Sequence, residues 1–247
     1  MTLKNKINSS AIILASGSGE RFGKSKKPKH LVLLKRVPII IWTISNILKS
    51  KLFKKIIVVT LEETKNSTEK IISNYFDLRK NNIIICIGTK VRMGSFYNGI
   101  IELKRNIKLK EKDLIALVDA NRPLTKANQL NQLNKLASKY GCACPARAVI
   151  NGVAKIKNKK IIQVPAKEEF VEFVTPEFIS YRLLRNIKTK CKNLKSLVEF
   201  AISDSCYPKY LKLSELNAKL TYPEDRAFLE GLIMKYNISK PKYLKKF

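Results

Sequence analysis

Along this chain the apolar residues fall into short unbroken runs, separated by stretches where they recur every three or four positions. The first run, residues 10–15 around AIILA, predicts a strand, and VPIIIWTISNILKS after it has helical spacing. A second strand is expected at Lys55–Thr60 and a helix over Glu63–Tyr75. Strand Asn82–Ile87 then precedes a helix at Gly94–Leu103. Strand Leu114–Val118, the helix KANQLNQLNKLASKYG and a buried strand in GCACPARAV continue the alternation. Strands alternating with helices predict an α/β fold, a doubly wound and mostly parallel sheet with right-handed crossovers.

The alternation breaks near residue 145. ARAVINGVAKIKNKKIIQV is β-rich, with turn signals at Asn151-Gly152 and around Asn158-Lys159. It reads as an arm over residues 145–175 extending from one domain that spans the chain. Residues 176–201 return to helical patterning, and KYLKLS reads as a short strand. PEDRAFLEGLIMKY predicts a helix with Pro223 near its start and acids in its first turn. The basic end, SKPKYLKKF, shows no periodicity.

The 247 residues suffice for one full α/β domain. Charge changes the picture less than its size suggests. Lys and Arg number 49 against 19 Asp and Glu, a net +30. The excess is mostly lysine, spread along the whole length with abundant Ile and Asn, all residues of A/T-rich codons. No aromatic-interleaved basic stretch or zinc-finger spacing accompanies it, so nucleic acid is not the expected partner and an anionic small substrate is. No apolar run reaches the roughly 20 residues of a membrane span, and MTLKNKINSS lacks a signal-peptide pattern, so a cytoplasmic location is expected. The five cysteines (Cys86, Cys142, Cys144, Cys191, Cys206) are an odd number and form no C-x-x-C pair; Cys142 and Cys144, in a buried strand, read as core thiols. A single histidine, His30, excludes mechanisms that need two.

The first strand delivers the chain into GSGERFGKSKKPK. Glycines there let main-chain N–H groups surround phosphates. A dinucleotide fingerprint would continue directly into a helix and place an acid about 20 residues on. Here Pro28 interrupts any long helix, and the corresponding window, LVLLKRVPII, holds no acid. No Gly-Lys-Ser/Thr closes a P-loop at the right distance either. What remains is a phosphate loop followed by Arg21 and Lys29. Nucleotidyl transfer calls for such cations, because charge builds on the triphosphate as pyrophosphate departs. It needs little general-base chemistry, since an acceptor phosphate is already an anionic nucleophile.

With its context, A-S-G-S-G-E-R-F-G-x₄-P-K resembles the glycine-rich signature of the cytidylyltransferases that act on polyol phosphates. VRMGSFYNGI, LVDANRPLT, FVTPEFI and NAKLTYPED resemble four further motifs of that family in the same order, together covering nearly the whole chain. The resemblance implies a Rossmann-like nucleotidyltransferase that uses CTP and Mg²⁺. It implies nucleotide contacts from Ala15, Ser16, Gly17, Ser18, Gly19, Gly88, Arg92 and Ser95. Arg21, Lys29 and Lys219 would be the catalytic cations and Asp119 the metal ligand. Arg122, Thr175 and, in the arm, Lys167 would hold the acceptor, the arm clasping a second copy in a homodimer.

The acceptor side departs further from the family than the nucleotide side. His30 stands in place of Gln, Lys167 in place of Arg and Glu177 in place of Gln. Ala148-Val149 replaces an Asp-Thr pair that contacts methylerythritol phosphate, and ISDSCYP is closer to the ribitol-phosphate enzymes. A site that loses polar partners loses the hydroxyl-bearing ligand they served. The expectation is therefore a different phosphorylated polyol, used in surface-glycan assembly, with methylerythritol phosphate of isoprenoid synthesis as the alternative. A non-catalytic dimeric scaffold and a basic RNA-associated protein are the readings from other classes.

Overall fold

A computed structural model of the chain describes residues 7–17, 28–190, 193–213 and 215–242. β1 (Ser9–Leu14) leads through a short hairpin, β2 (Leu33–Leu34) and β3 (Val37–Pro38), into α1 (Ile39–Lys49). β4 (Phe53–Thr60), α2 (Lys65–Ser73), β5 (Ile83–Ile87), α3 (Arg92–Asn106), β6 (Leu114–Asp119), α4 (Ala127–Tyr140) and β7 (Cys142–Ala148) follow in the predicted alternation. β1 lies between β4 and β6 and is parallel to both, and β5 pairs with β4 in parallel.

β1, β6 and the last five residues of β4 are buried on both faces, which is why the runs are continuous rather than alternating. Ala11 and Ile13 join one core with α1 residues such as Ile40 and Ile44, while Ile12 faces the other with Phe96 and Ile100 of α3. Helix α3 lies so close that a Cβ on Gly99 would come within 2.6 Å of Ile12 Cγ2.

The arm begins beyond β7. β8 (Lys155–Lys157) and β9 (Lys160–Gln163) form an isolated antiparallel hairpin. The turn falls at Asn158 and Lys159, as predicted, both at positive φ. β10 (Val171–Phe173) returns along β7. The next segment corrects the sequence reading. Residues 176–201 do not open as helix: β11 (Glu177–Ser180) runs antiparallel between β6 and β7 in the middle of the sheet. Only then come the short helices α5 (Ile187–Lys190) and α6 (Leu197–Ser203). β12 (Lys209–Lys212), the predicted short strand, pairs with β7 in parallel, and α7 (Asp225–Lys235) is the last helix among the described residues. Cys142 and Cys144 are buried thiols, as expected; Cys191 lies outside the described residues.

Candidate active site

The chain crosses β1 in opposite directions, to β4 on one side and β6 on the other, which opens a crevice at the strands' carboxyl ends. Leu14 and Asp119 are register partners there, so the residues leaving β1 begin beside the Asp119 carboxylate. A cavity of about 210 Å³ occupies this crevice, lined by Ala15, Ser16, Gly17, Lys29, Arg92, Asp119 and Lys219. Sequence-predicted residues from five separate segments therefore meet at one place. Ser18, Gly19 and Arg21 lie outside the described residues.

The loop is fixed from behind. Ala15 N–H donates to Val59 O at 2.7 Å. Ser16 Oγ donates to Ser95 Oγ at 2.7 Å, and Ser95 Oγ donates to Thr89 O at 2.6 Å while accepting from Thr89 N–H at 2.9 Å. A side chain at Gly88 would collide with this knot, since its Cβ would stand 2.6 Å from Ser95 Oγ. Ser95 and Gly88 thus act as supports for the cavity wall.

Asp119 is the ionic centre. Its Oδ1 lies 3.1 Å from Arg92 Nη2, and its Oδ2 lies 2.8 Å from Lys219 Nζ and 3.7 Å from Arg122 Nε. Burial alone would raise this carboxyl, but Lys219, Arg92 and Arg122 together hold it far below the usual carboxylate range. Arg92 has a second anion: Glu177 Oε1 at 3.5 Å. Glu177 is buried, and its Oε2 accepts from Leu197 N–H at 2.6 Å and Val198 N–H at 3.2 Å at the start of α6. Burial raises the Glu177 carboxyl, opposed by Arg92 and those amides.

A second cavity of about 520 Å³ adjoins the first, lined by Arg122, Arg147, Val174, Asn217, Lys219 and Phe228. Lys219 borders both. Arg122 is buried, with Nε donating to Thr175 Oγ1 at 3.0 Å and Nη1 to Asn217 O at 2.5 Å. The predicted acceptor pair, Arg122 and Thr175, is therefore assembled. Lys167 is not brought to it: it sits exposed in a turn of the arm and is not among the residues lining either cavity.

Sequence reasoning passed over Lys90 and Asn121 in the first cavity, Arg147 in the second, and the part Glu177 plays behind Arg92. Arg147 directly precedes the Ala148-Val149 pair that departs from the family, which was the available signal. Nothing in the sequence announced that Glu177 would be buried.

A doubly wound sheet with a main-chain loop and several cations gathered around one carboxylate at its switch point defines a nucleotidyltransferase. Residues 9–235 match the family model described as 2-C-methyl-D-erythritol 4-phosphate cytidylyltransferase. The chain belongs to that family and is a CTP-dependent cytidylyltransferase. Among curated proteins it is similar to the 2-C-methyl-D-erythritol 4-phosphate cytidylyltransferase of Clostridium botulinum strain Langeland. The two are 28% identical over 232 residues, 92% of this chain and 97% of the relative. The protein of that name in Clostridium beijerinckii is 27% identical over 234 residues, 91% of this chain and 97% of the relative. Among solved structures the fold is similar to the 4-diphosphocytidyl-2C-methyl-D-erythritol synthase of Anaerococcus prevotii. The TM-score is 0.76 at 17% identity, covering 92% of this chain and 96% of that one. The Francisella tularensis enzyme gives a TM-score of 0.73 at 20% identity, covering 90% and 97%.

Proposed function

We propose that the enzyme moves CMP from CTP onto the phosphate of a phosphorylated polyol, with the triphosphate in the smaller cavity and the acceptor in the larger. The observation that carries this reading is Lys219, which lines both cavities and whose ammonium is bound to Asp119. An acceptor phosphate oxygen attacks the α-phosphorus. The bond from that phosphorus to the bridging oxygen breaks, and pyrophosphate leaves with the electron pair. Lys29, Arg92 and Lys219 supply positive charge where negative charge accumulates, and Arg21 is proposed to add to it. No proton need be removed, so a buried neutral histidine costs the reaction nothing.

Mg²⁺ fits this donor set as a substrate-borne ion. Asp119 offers one ionised hard oxygen donor set, and no group of three acidic, histidine or cysteine side chains among the described residues forms a protein cage. Mg²⁺ is commonly held by one or two carboxylates together with substrate phosphates. Asp119 would be its protein ligand, and the ion would neutralise triphosphate charge.

For the acceptor, the family match over most of the chain supports 2-C-methyl-D-erythritol 4-phosphate. A second reading, another polyol phosphate such as one used for surface glycans, is favoured by Ala148 and Val149 directly after Arg147, two side chains without a hydrogen-bonding group. The arm supports a homodimer: Ile156, Ile161 and Val164 are each about 70% exposed, an apolar surface of the kind that marks an interface. No helix among the described residues is long and apolar enough to cross a membrane.

Pyrophosphate release from CTP with methylerythritol, ribitol and other polyol phosphates tests the reading. One acceptor should give turnover, and Lys29→Ala should lower its kcat by about a hundredfold, the typical loss on removing one preorganised donor. Absence of turnover with every acceptor, or wild-type kcat in that variant, refutes it. Sedimentation of the wild type and Ile161→Asp tests the dimer.

A further inference from the structure

Lys29 belongs to a single 3-10 turn, Lys29–Leu31, closed by Leu31 N–H to Pro28 O at 2.9 Å and Val32 N–H to Lys29 O at 3.1 Å. A turn this short has little rigidity of its own. Its far end is tied to the start of α1 by Ile39 N–H to Val32 O at 2.9 Å. The near end, which carries Lys29, has a side-chain tie. His30 is 4% exposed, and its ring Nε2 lies 2.9 Å from Oγ1 of Thr68, a fully buried residue of α2.

We propose that His30 is the positioning residue for Lys29, fixing the turn to α2 through Thr68 so that the lysine is held at the cavity wall. His30 lines the same cavity as Lys29. Its hydrogen bond spans to an element that contributes no residue to that cavity's wall, so it braces the wall from outside. Thr68 sits mid-helix, where its hydroxyl is spent on the imidazole rather than on solvent. A glutamine at position 30 could donate a similar bond from its amide. The inference rests on Lys29 acting on the triphosphate.

The test is steady-state turnover of CTP and the best acceptor by five variants. His30→Ala and Thr68→Val should each lower kcat by about tenfold to a hundredfold, the scale of an ångström-sized displacement of a catalytic group. His30→Gln should restore turnover to within about threefold of wild type, since the bond is kept. Adding His30→Ala to Lys29→Ala should cost nothing further, because a group that acts only through Lys29 has nothing left to position. A purely structural histidine would instead show loss of stability with unchanged kcat, or independent effects in the double variant; either result overturns the proposal. Wild-type kcat in Lys29→Ala alone would overturn the role of Lys29 and this inference together, and so is told apart from failure of His30.

Discussion

The only histidine of the chain gives its stability a distinct dependence on pH. Burial pushes the His30 imidazole down from 6.5 to about 4. As pH falls below 6.5 the unfolded chain takes up a proton that the folded chain refuses until about 4. The unfolded state then binds more protons, so stability rises with pH across that window. The contribution is complete above about 6.5 and is lost as pH falls toward 4. Each pH unit of the gap is worth about 1.4 kcal/mol, giving about 3 kcal/mol over the whole window. Two carboxylates in the site behave differently. Glu177, raised by burial, favours folding as it protonates and so has the opposite sign. Asp119, held far below the usual range, contributes stability that is lost only in stronger acid. His30→Gln leaves both in place. Urea denaturation of wild type and His30→Gln from pH 4 to 7.5 should therefore give a stability difference that changes by about 3 kcal/mol across the window, about 10 °C of Tm for a chain of this size. A difference that stays constant to within about 0.5 kcal/mol would refute the assignment of a buried, neutral imidazole.

Three further outcomes are expected. Gly99→Ala forces a methyl against Ile12 and should destabilise by about 1–3 kcal/mol in urea, as overpacking does; wild-type stability would mean α3 can move away freely. Thr175→Val removes the acceptor for the buried Arg122 Nε–H and should raise KM for the acceptor while leaving KM for CTP unchanged; a reversed pattern would exchange the two cavities. Asp119→Asn should lower kcat by about a hundredfold even though it makes the cavity more cationic, and turnover equal to wild type would deny the carboxylate its place in the reaction.

The strand and helix alternation was legible because the centre of the sheet is covered on both faces: β1, β4 and β6 each contain an unbroken apolar run that no surface strand could sustain. β11 was not. Its four residues are all buried, yet they begin with Glu177, and their partners in β6 are far away in the sequence. Polarity at a buried position defeats any pattern reading, and the compensation, Arg92 and two amides of α6, exists only in three dimensions. The β2–β3 hairpin was hidden for a local reason. Lys35 and Arg36 both adopt positive φ, a turn ordinarily announced by Asn or Gly. At the arm's tip Asn158 gave that announcement and the turn was found. The site divides in the same way. Segments as distant as Ala15 and Lys219 were placed together by motif order, and the structure joins them through the parallel register of β1 and β6. Lys167 shows the limit: its predicted role depends on a second copy of the arm, which no reading of one chain can position.

Asp119 explains how so many cations can wait together. Like charges about 4 Å apart repel by about 4 kcal/mol each at the effective dielectric of a protein surface. Arg92, Arg122 and Lys219 all converge on this one carboxylate. Without an anion among them they would turn outward and have to be gathered again when substrate arrived. Burial opposes charge on Arg122, while Asp119 beside it works to keep the charge in place. Glu177 does the same for Arg92, sharing its Nη2 with Asp119. On the proposed reading, a triphosphate entering the crevice takes over part of the role Asp119 plays toward these cations, meeting charges already aimed at one point rather than recruiting them from solvent. The same proposed reading gives a use to Lys219, which lines both cavities and would follow the negative charge from the breaking bond to the new one.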